Sequence, residues 1–179
     1  MKSKKTDGAE EEGDYMINAE DVAIGELVGT GQFGTVYVAK YFGDFVAVKK
    51  QVVDAEILQT YLLREMNVLK KVQHENIMIY YGAYDALCDK GIGRLLCMVS
   101  EFCHGGDLLD LLLNHEEKLG WKFRVTIAAQ VASAIDYMHQ NNIVHRDIKS
   151  SNILLDRSWT CKICDFGLAR EVDPDCSDR

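Results

Sequence analysis

The chain has 179 residues, 47% of them hydrophobic and 27% charged, which suits one globular domain or two small lobes with a buried core and excludes a multi-domain enzyme. Acidic residues outnumber basic ones 28 to 20, for a formal net charge of -8; such a surface argues against nucleic-acid or anionic-membrane binding as the main task. The lone proline, Pro174, excludes proline-rich linkers, and no apolar run approaches membrane-spanning length.

Residues 1–20 are polar and charged and read as a disordered acidic tail. Met1–Lys5 leads into Glu10-Glu11-Glu12 rather than an apolar signal region, and Lys2 stands where N-myristoylation needs glycine. Cys88, Cys97, Cys103, Cys161, Cys164 and Cys176 are irregularly spaced. They read as reduced thiols, which makes a reducing cytosolic or nuclear compartment the default, with the cytoplasm as the expected setting.

Structure is expected from Asp21. Val22, Ile24, Glu26 and Val28 suggest a strand; a glycine turn follows at 29–34, then a strand at Thr35–Ala39. Gly43-Asp44 is a hairpin signal between Tyr41-Phe42 and Phe45–Val48. A helix is predicted from about Ala55 to Val72, with Leu58, Leu62, Leu69 and Val72 on one stripe and Glu65 in its middle. Strands are predicted at Ile77–Tyr84 and Leu95–Ser100, joined by the polar stretch 85–93. Beyond Gly105, Asp107 reads as the N-cap of a short helix through Leu113. Trp121–Gln140 reads as a long helix with Val125, Ala128, Val131, Ala132, Ile135 and Met138 on one side, stopped by Asn141-Asn142. Short strands at 153–155 and 161–163 flank a turn at Asp156-Arg157-Ser158.

Gly29, Gly31 and Gly34 fit G-x-G-x-x-G, with Val36 extending it. The dinucleotide version of this motif must open a helix, whereas Thr35–Val38 favours a strand. A glycine hairpin lets backbone amides approach phosphates; alone, an ordinary glycine turn remains the alternative. Lys49 ends the apolar strand Val46-Ala47-Val48. Glu65 on an apolar helix face needs a partner, and Lys49 supplies one. His145-Arg146-Asp147-Ile148-Lys149-Ser150-Ser151-Asn152 concentrates charge between a helix and an apolar strand, and Asp165-Phe166-Gly167 follows a second strand. Cys161-x-x-Cys164 fits half of a zinc site, but residues three apart on a strand point to opposite faces. Cys164 would be reactive only if nearby cations lowered its pKa.

Together these segments resemble the catalytic domain of eukaryotic protein kinases over residues 21–172. The resemblance implies an α+β bilobal fold. Residues 21–101 would form an N-lobe of five antiparallel strands and one helix, and 102–179 a partial helical C-lobe. It implies ATP and Mg2+ as cofactors. By that resemblance the 29–34 backbone (Gly29, Gly31, Gly34) covers the phosphates, and Lys49 pairs with Glu65 and holds the α- and β-phosphates. Asp147 receives the substrate proton, Lys149 steadies the γ-phosphate, and Asn152 and Asp165 hold magnesium. Ser100-Glu101-Phe102-Cys103 resembles the hinge, whose backbone at Glu101 and Cys103 would bond adenine, with Ser100 a small gatekeeper. Asp107 would meet the ribose, and Val36, Ala47 and Leu154 would sandwich the base.

Lys149-Ser150-Ser151 resembles the serine/threonine enzymes, and with Cys103 the tyrosine kinase-like group around Raf and the mixed-lineage kinases. The implied partner is a protein substrate with a Ser or Thr hydroxyl. No nucleic acid and no membrane insertion are expected, and no oligomeric state is implied. Arg146 beside Asp147 suggests regulation by a phosphorylated activation loop, for which Ser177 is the default phosphosite. The signature continues to an Ala-Pro-Glu segment that the chain, ending at Arg179, lacks. The expectation is a chain truncated after Asp-Phe-Gly, whose long helix exposes apolar area. The alternative reading is a non-catalytic ATP-binding or partner-binding fragment, a decoy or an incomplete gene product.

Overall fold

The computed structural model describes residues 16–31, 34–53, 68–69, 71–87, 94–114 and 119–172. Five antiparallel strands come first in spatial order β1-β2-β3-β5-β4: β1 (Val22–Gly31), β2 (Gly34–Tyr41), β3 (Asp44–Val53), β4 (Tyr80–Leu87) and β5 (Arg94–Glu101). Of the segment expected as a tail, residues 16–20 lie among those described. Met16 bridges Ala83 on β4, the Ile17 amide donates to the Ala83 carbonyl at 2.9 Å, and Ala19–Asp21 makes a 3-10 turn.

The β2–β3 turn differs by one residue from the sequence expectation. Tyr41 pairs with Asp44, so Phe42 and Gly43 are the turn residues, with φ of 47° and 95°. Positive φ at both centres is the I′ form of the two-residue turns that match strand twist. Gly43 meets this freely; Phe42 adopts it with its ring exposed and 4.6 Å from Tyr41.

Val46 and Val48 of β3 are fully buried with Val22, Ala39, Tyr84, Cys97 and Val99 on one face of the sheet. The opposite face carries Ala47 and Lys49, both half-buried. This alternation follows from the period of two in a strand.

Ile77, expected in the fourth strand, lies outside it. It forms an isolated bridge with Ile163 and joins the second core with Val68, Val72, Ala134, Met138, Ile143, Ile163 and Phe166. Segment 76–78 is therefore a crossing: the Met78 amide donates to the Ile163 carbonyl and the Ile163 amide to the Asn76 carbonyl, both at 2.9 Å. The helix expected at 55–72 lies mostly outside the described residues; Val68 and Val72, at its end, are buried.

Two helices follow, α1 (Leu108–Asn114) and α2 (Trp121–Gln140). The α2 limits match the sequence expectation, and Asn142, at φ 57°, ends the helix in the left-handed region. Its buried face is a correction. Ile127, Ala134 and Met138 are buried, with Phe123, Val131, Ile135 and Tyr137 partly so, whereas Val125, Ala128 and Ala132 are exposed. The helix is apolar around more than half of its circumference, so periodicity alone cannot choose the packed face. The short strands β6 (Ile143–Val144), β7 (Ile153–Leu155), β8 (Cys161–Ile163) and β9 (Arg170–Glu171) form two antiparallel pairs, β6–β9 and β7–β8.

Candidate active site

The site lies between the Ala47–Lys49 face of the sheet and the loops around β7 and β8. Register places its upper side chains. Directly opposed residues share a face, so Val36 opposite Lys49, and Ala47 opposite Ser100, lie on the same side of the sheet. Gly29 and Gly31 of β1 pair with Val36 and Gly34 of β2, so the glycine motif is a hairpin tip; Gln32 and Phe33 lie outside the described residues. Gly34 has φ 126° and its Cα faces the Lys50 carbonyl closely enough that a Cβ there would sit 2.2 Å from that oxygen.

Lys49 Nζ is 3.8 Å from Asp165 Oδ1, and both side chains are about 70% buried. Glu65, the partner expected for Lys49, lies outside the described residues; the acid seen beside the ammonium is Asp165. Asp165 takes a left-handed conformation, φ 64° and ψ 73°. That turn sends its carboxylate to Lys49 while Phe166, 2% exposed, enters the second core. Such a conformation in a residue other than glycine is strained by about 1–3 kcal/mol and is held by its surroundings.

The Asp147 carboxylate is fastened by two neighbours. Lys149 Nζ donates to Oδ2 at 2.7 Å, and Asn152 Nδ2 donates both to Oδ2 and to the Asp147 carbonyl at 2.9 Å. The Lys149 hydrogen bond, helped by Asn152, holds the Asp147 pKa below the ordinary carboxylate value, and Asp147 raises that of Lys149 in return. Asn152 is buried, and its carbonyl accepts from the Cys164 amide at 3.0 Å, which brings positions 152 and 165 to the same end of the β7–β8 pair.

His145, to which sequence reasoning gave no separate task, ties these loops together. It is 2% exposed; Nδ1 accepts from the Asp147 amide at 3.3 Å and Nε2 faces the Cys164 carbonyl at 3.0 Å. The neutral tautomer with hydrogen on Nε2 satisfies both bonds. Burial lowers the His145 pKa, keeping that neutral form. Arg146, at φ 64°, sends Nε to the Leu168 carbonyl at 2.7 Å.

The residues expected at the adenine end are placed as follows. Glu101 ends β5 and Cys103 is buried. Asp107 caps α1, its Oδ1 accepting from the Asp110 amide at 2.9 Å, and Asp107 bridges Leu154. Leu154 is half-buried between fully packed Ile153 and Leu155, as are Val36 and Ala47 across the cleft. The Cys164 thiol is pushed up to about 12, first by burial and then by Asp165, which outweigh the opposing Lys49; the condition set for a reactive thiol is not met.

Magnesium prefers hard oxygen donors and takes one or two protein groups plus phosphate oxygens. Asp165 offers a carboxylate. Asn152 commits its amide nitrogen to Asp147 and so leaves an amide oxygen for a metal. This donor set fits Mg2+. Among the described residues no cluster of three or more His, Cys, Asp or Glu forms a protein-only metal cage.

A glycine hairpin thus stands over a lysine that faces a carboxylate at the end of a strand pair, beside an aspartate held by lysine and asparagine. The chain belongs to the protein tyrosine and serine/threonine kinase family, whose model matches residues 22–179. A Dictyostelium discoideum protein named as a probable serine/threonine-protein kinase is 38% identical over 167 residues, covering 89% of this chain and 38% of that protein. The RasGEF domain-containing serine/threonine-protein kinase X of Dictyostelium discoideum is 39% identical, covering 86% of this chain and 15% of its own length. The serine/threonine-protein kinase CTR1 of Arabidopsis thaliana is 39% identical over 157 residues, covering 84% of this chain and 18% of its own length. The chain thus spans well under half the length of these relatives.

Proposed function

We propose that the chain carries the nucleotide-binding and phosphoryl-transfer residues of a serine/threonine protein kinase, which moves the γ-phosphate of ATP to a protein hydroxyl. The observation that carries this reading is the approach of Lys49 to Asp165 across the cleft, at 3.8 Å, above an Asp147 fastened by Lys149 and Asn152. Phosphoryl transfer asks mostly for placement and charge neutralisation. The hairpin amides at 29–34 and the Lys49 ammonium bind the phosphates, with Glu65 as the second partner of Lys49. The Glu101 and Cys103 backbone takes the adenine edge, Val36, Ala47 and Leu154 its faces, and Asp107 the ribose. Asp165 and Asn152 hold Mg2+, which when bound neutralises phosphate charge and orients the transferred group.

Asp147 stays ionised at neutral pH because Lys149 and Asn152 favour its charged form. It is a weak base, so its first task is to orient the substrate hydroxyl; it accepts the proton as transfer proceeds. Lys149, already on Asp147, steadies the incoming γ-phosphate. The Lys149-Ser150-Ser151 run and the names of the relatives support a Ser/Thr hydroxyl as acceptor. A cytoplasmic setting and a signalling role belong to the same reading; the free thiols of Cys97, Cys103, Cys161 and Cys164 are in keeping with the setting alone. No helix among the described residues is long and apolar enough to cross a membrane.

The test is phosphate transfer from ATP to a generic basic protein in the presence of Mg2+, with Asp147→Asn alongside. We expect the variant to lose about 10²–10⁴-fold in transfer while its affinity for Mg·ATP changes by less than about threefold. Equal transfer by both proteins, or a wild-type chain that binds no Mg·ATP, would refute the assignment.

A further inference from the structure

Lys162 is absorbed by none of the tasks above, yet it is 8% exposed in the middle of β8, between the buried Cys161 and Ile163. A buried ammonium is costly unless paired. Lys162 Nζ lies 3.2 Å from Glu101 Oε1, and the Glu101 side chain is itself only 18% exposed. The same oxygen accepts the Ile79 amide at 2.7 Å, and the Glu101 amide donates to the Ile79 carbonyl at 2.9 Å. Glu101 is thus gripped at the end of β5, where the chain leaves the sheet.

On the other side of the pair, β8 is held by the crossing segment. Asn76, 1% exposed, donates from Nδ2 to the Cys161 carbonyl at 3.1 Å, and the Ile163 backbone bonds both Asn76 and Met78. Asp165 begins two residues beyond β8. A stiff path therefore runs from the strand end at Glu101, through Lys162, to the carboxylate that faces Lys49. Replacing a buried ion pair by apolar residues often leaves stability unchanged or improved, so its contribution here lies in geometry.

We propose that the Lys162–Glu101 pair is a latch between the two lobes. Lys162 is a positioning residue: it holds the end of β5 against β8 and so sets the Lys49-to-Asp165 spacing on which Mg·ATP binding would depend. The proposal rests on reading the cleft as an ATP site. Adenosine, which reaches the strand end but not the Lys49–Asp165 gap, separates the two.

The test measures dissociation constants of the full chain for Mg·ATP and for adenosine. In Lys162→Met the Mg·ATP constant rises about tenfold while that for adenosine moves less than about twofold, and Lys162→Arg returns Mg·ATP binding to within about threefold of wild type. Lys162→Met leaves Glu101 buried without its counter-charge and risks misfolding. Lys162→Gln removes the positive charge, keeps a donor for the Glu101 carboxylate and leaves Glu101 itself unchanged, and shows the same selective loss to a smaller extent. Unchanged Mg·ATP binding in both variants overturns the latch, as does an equal loss of both ligands, which marks damage to the adenine end. A wild-type chain that binds adenosine but not Mg·ATP overturns the ATP-site reading itself and the latch with it.

Discussion

Alanine at each of the three motif glycines separates what the fold needs from what the ligand needs. At Gly34 the backbone φ is 126°, and a new Cβ would lie 2.2 Å from the Lys50 carbonyl oxygen and 3.0 Å from Gln51 Cγ. Ordinary contact starts at 3.4 Å, so the neighbouring backbone of β3 must move by about 1 Å, against close packing. The conformational strain alone is on the order of 1–3 kcal/mol. A loss of about 2 kcal/mol corresponds to roughly 4–8 °C in Tm for a chain of this size. The displaced strand carries Lys49, the residue paired with Val36 one step along the same register, so Mg·ATP binding weakens as well.

Gly29 and Gly31 behave differently. Nothing lies within 4 Å of a Cβ at either position, and neither has positive φ. Alanine there changes stability by less than about 0.5 kcal/mol, while its methyl obstructs approach of a phosphate to the hairpin amides. The assay is thermal unfolding of the ligand-free variants together with titration of Mg·ATP. The reasoning is refuted if Gly34→Ala melts within about 1 °C of wild type, or if Gly29→Ala and Gly31→Ala are destabilised as much as Gly34→Ala.

Asp107 has two tasks that substitution can divide. Asp107→Ala removes the cap on α1 and costs about 1 kcal/mol of stability, whereas Asp107→Ser keeps a capping oxygen and most of that stability; both weaken adenosine binding, and equal stability of the two variants would remove the cap from the account. His145 predicts a pH dependence. Its folded pKa lies below the ordinary imidazole value of 6.5 because burial disfavours the imidazolium. The unfolded chain therefore binds the extra proton first, and stability is full above about pH 6.5 and declines as pH falls toward the folded pKa. Urea unfolding between pH 7.5 and 5.5 should show this slope in wild type and a flatter one in His145→Phe; equal slopes would dismiss His145 as its source.

Much of the site was legible because short-range chemistry dictated it. Asp107 next to an apolar run announces a cap, and Asp110 takes it. Thr35–Val38 behind the glycines is made of β-branched and aromatic residues, so the motif favoured a hairpin over the start of a helix, and Gly29 and Gly31 do pair across to Val36 and Gly34. The charged run 145–152 between a helix and a strand marks a site without coordinates. Lys162 left only a faint signal, a lysine inside a three-residue apolar strand, and its partner lies 61 positions earlier, out of reach of any local pattern.

The chain's own order of apolar, glycine and charged residues determined the strands, the long helix, the cap and the identity of the chemical groups, since these depend on neighbours a few bonds away. Three-dimensional packing alone decided which side of Trp121–Gln140 is buried, that Ile77 leaves the sheet to join Ile163, and that Asp165 turns back to Lys49. Each of those outcomes compares contacts between segments far apart in the chain. Their energies depend on distance and burial, which periodicity does not encode.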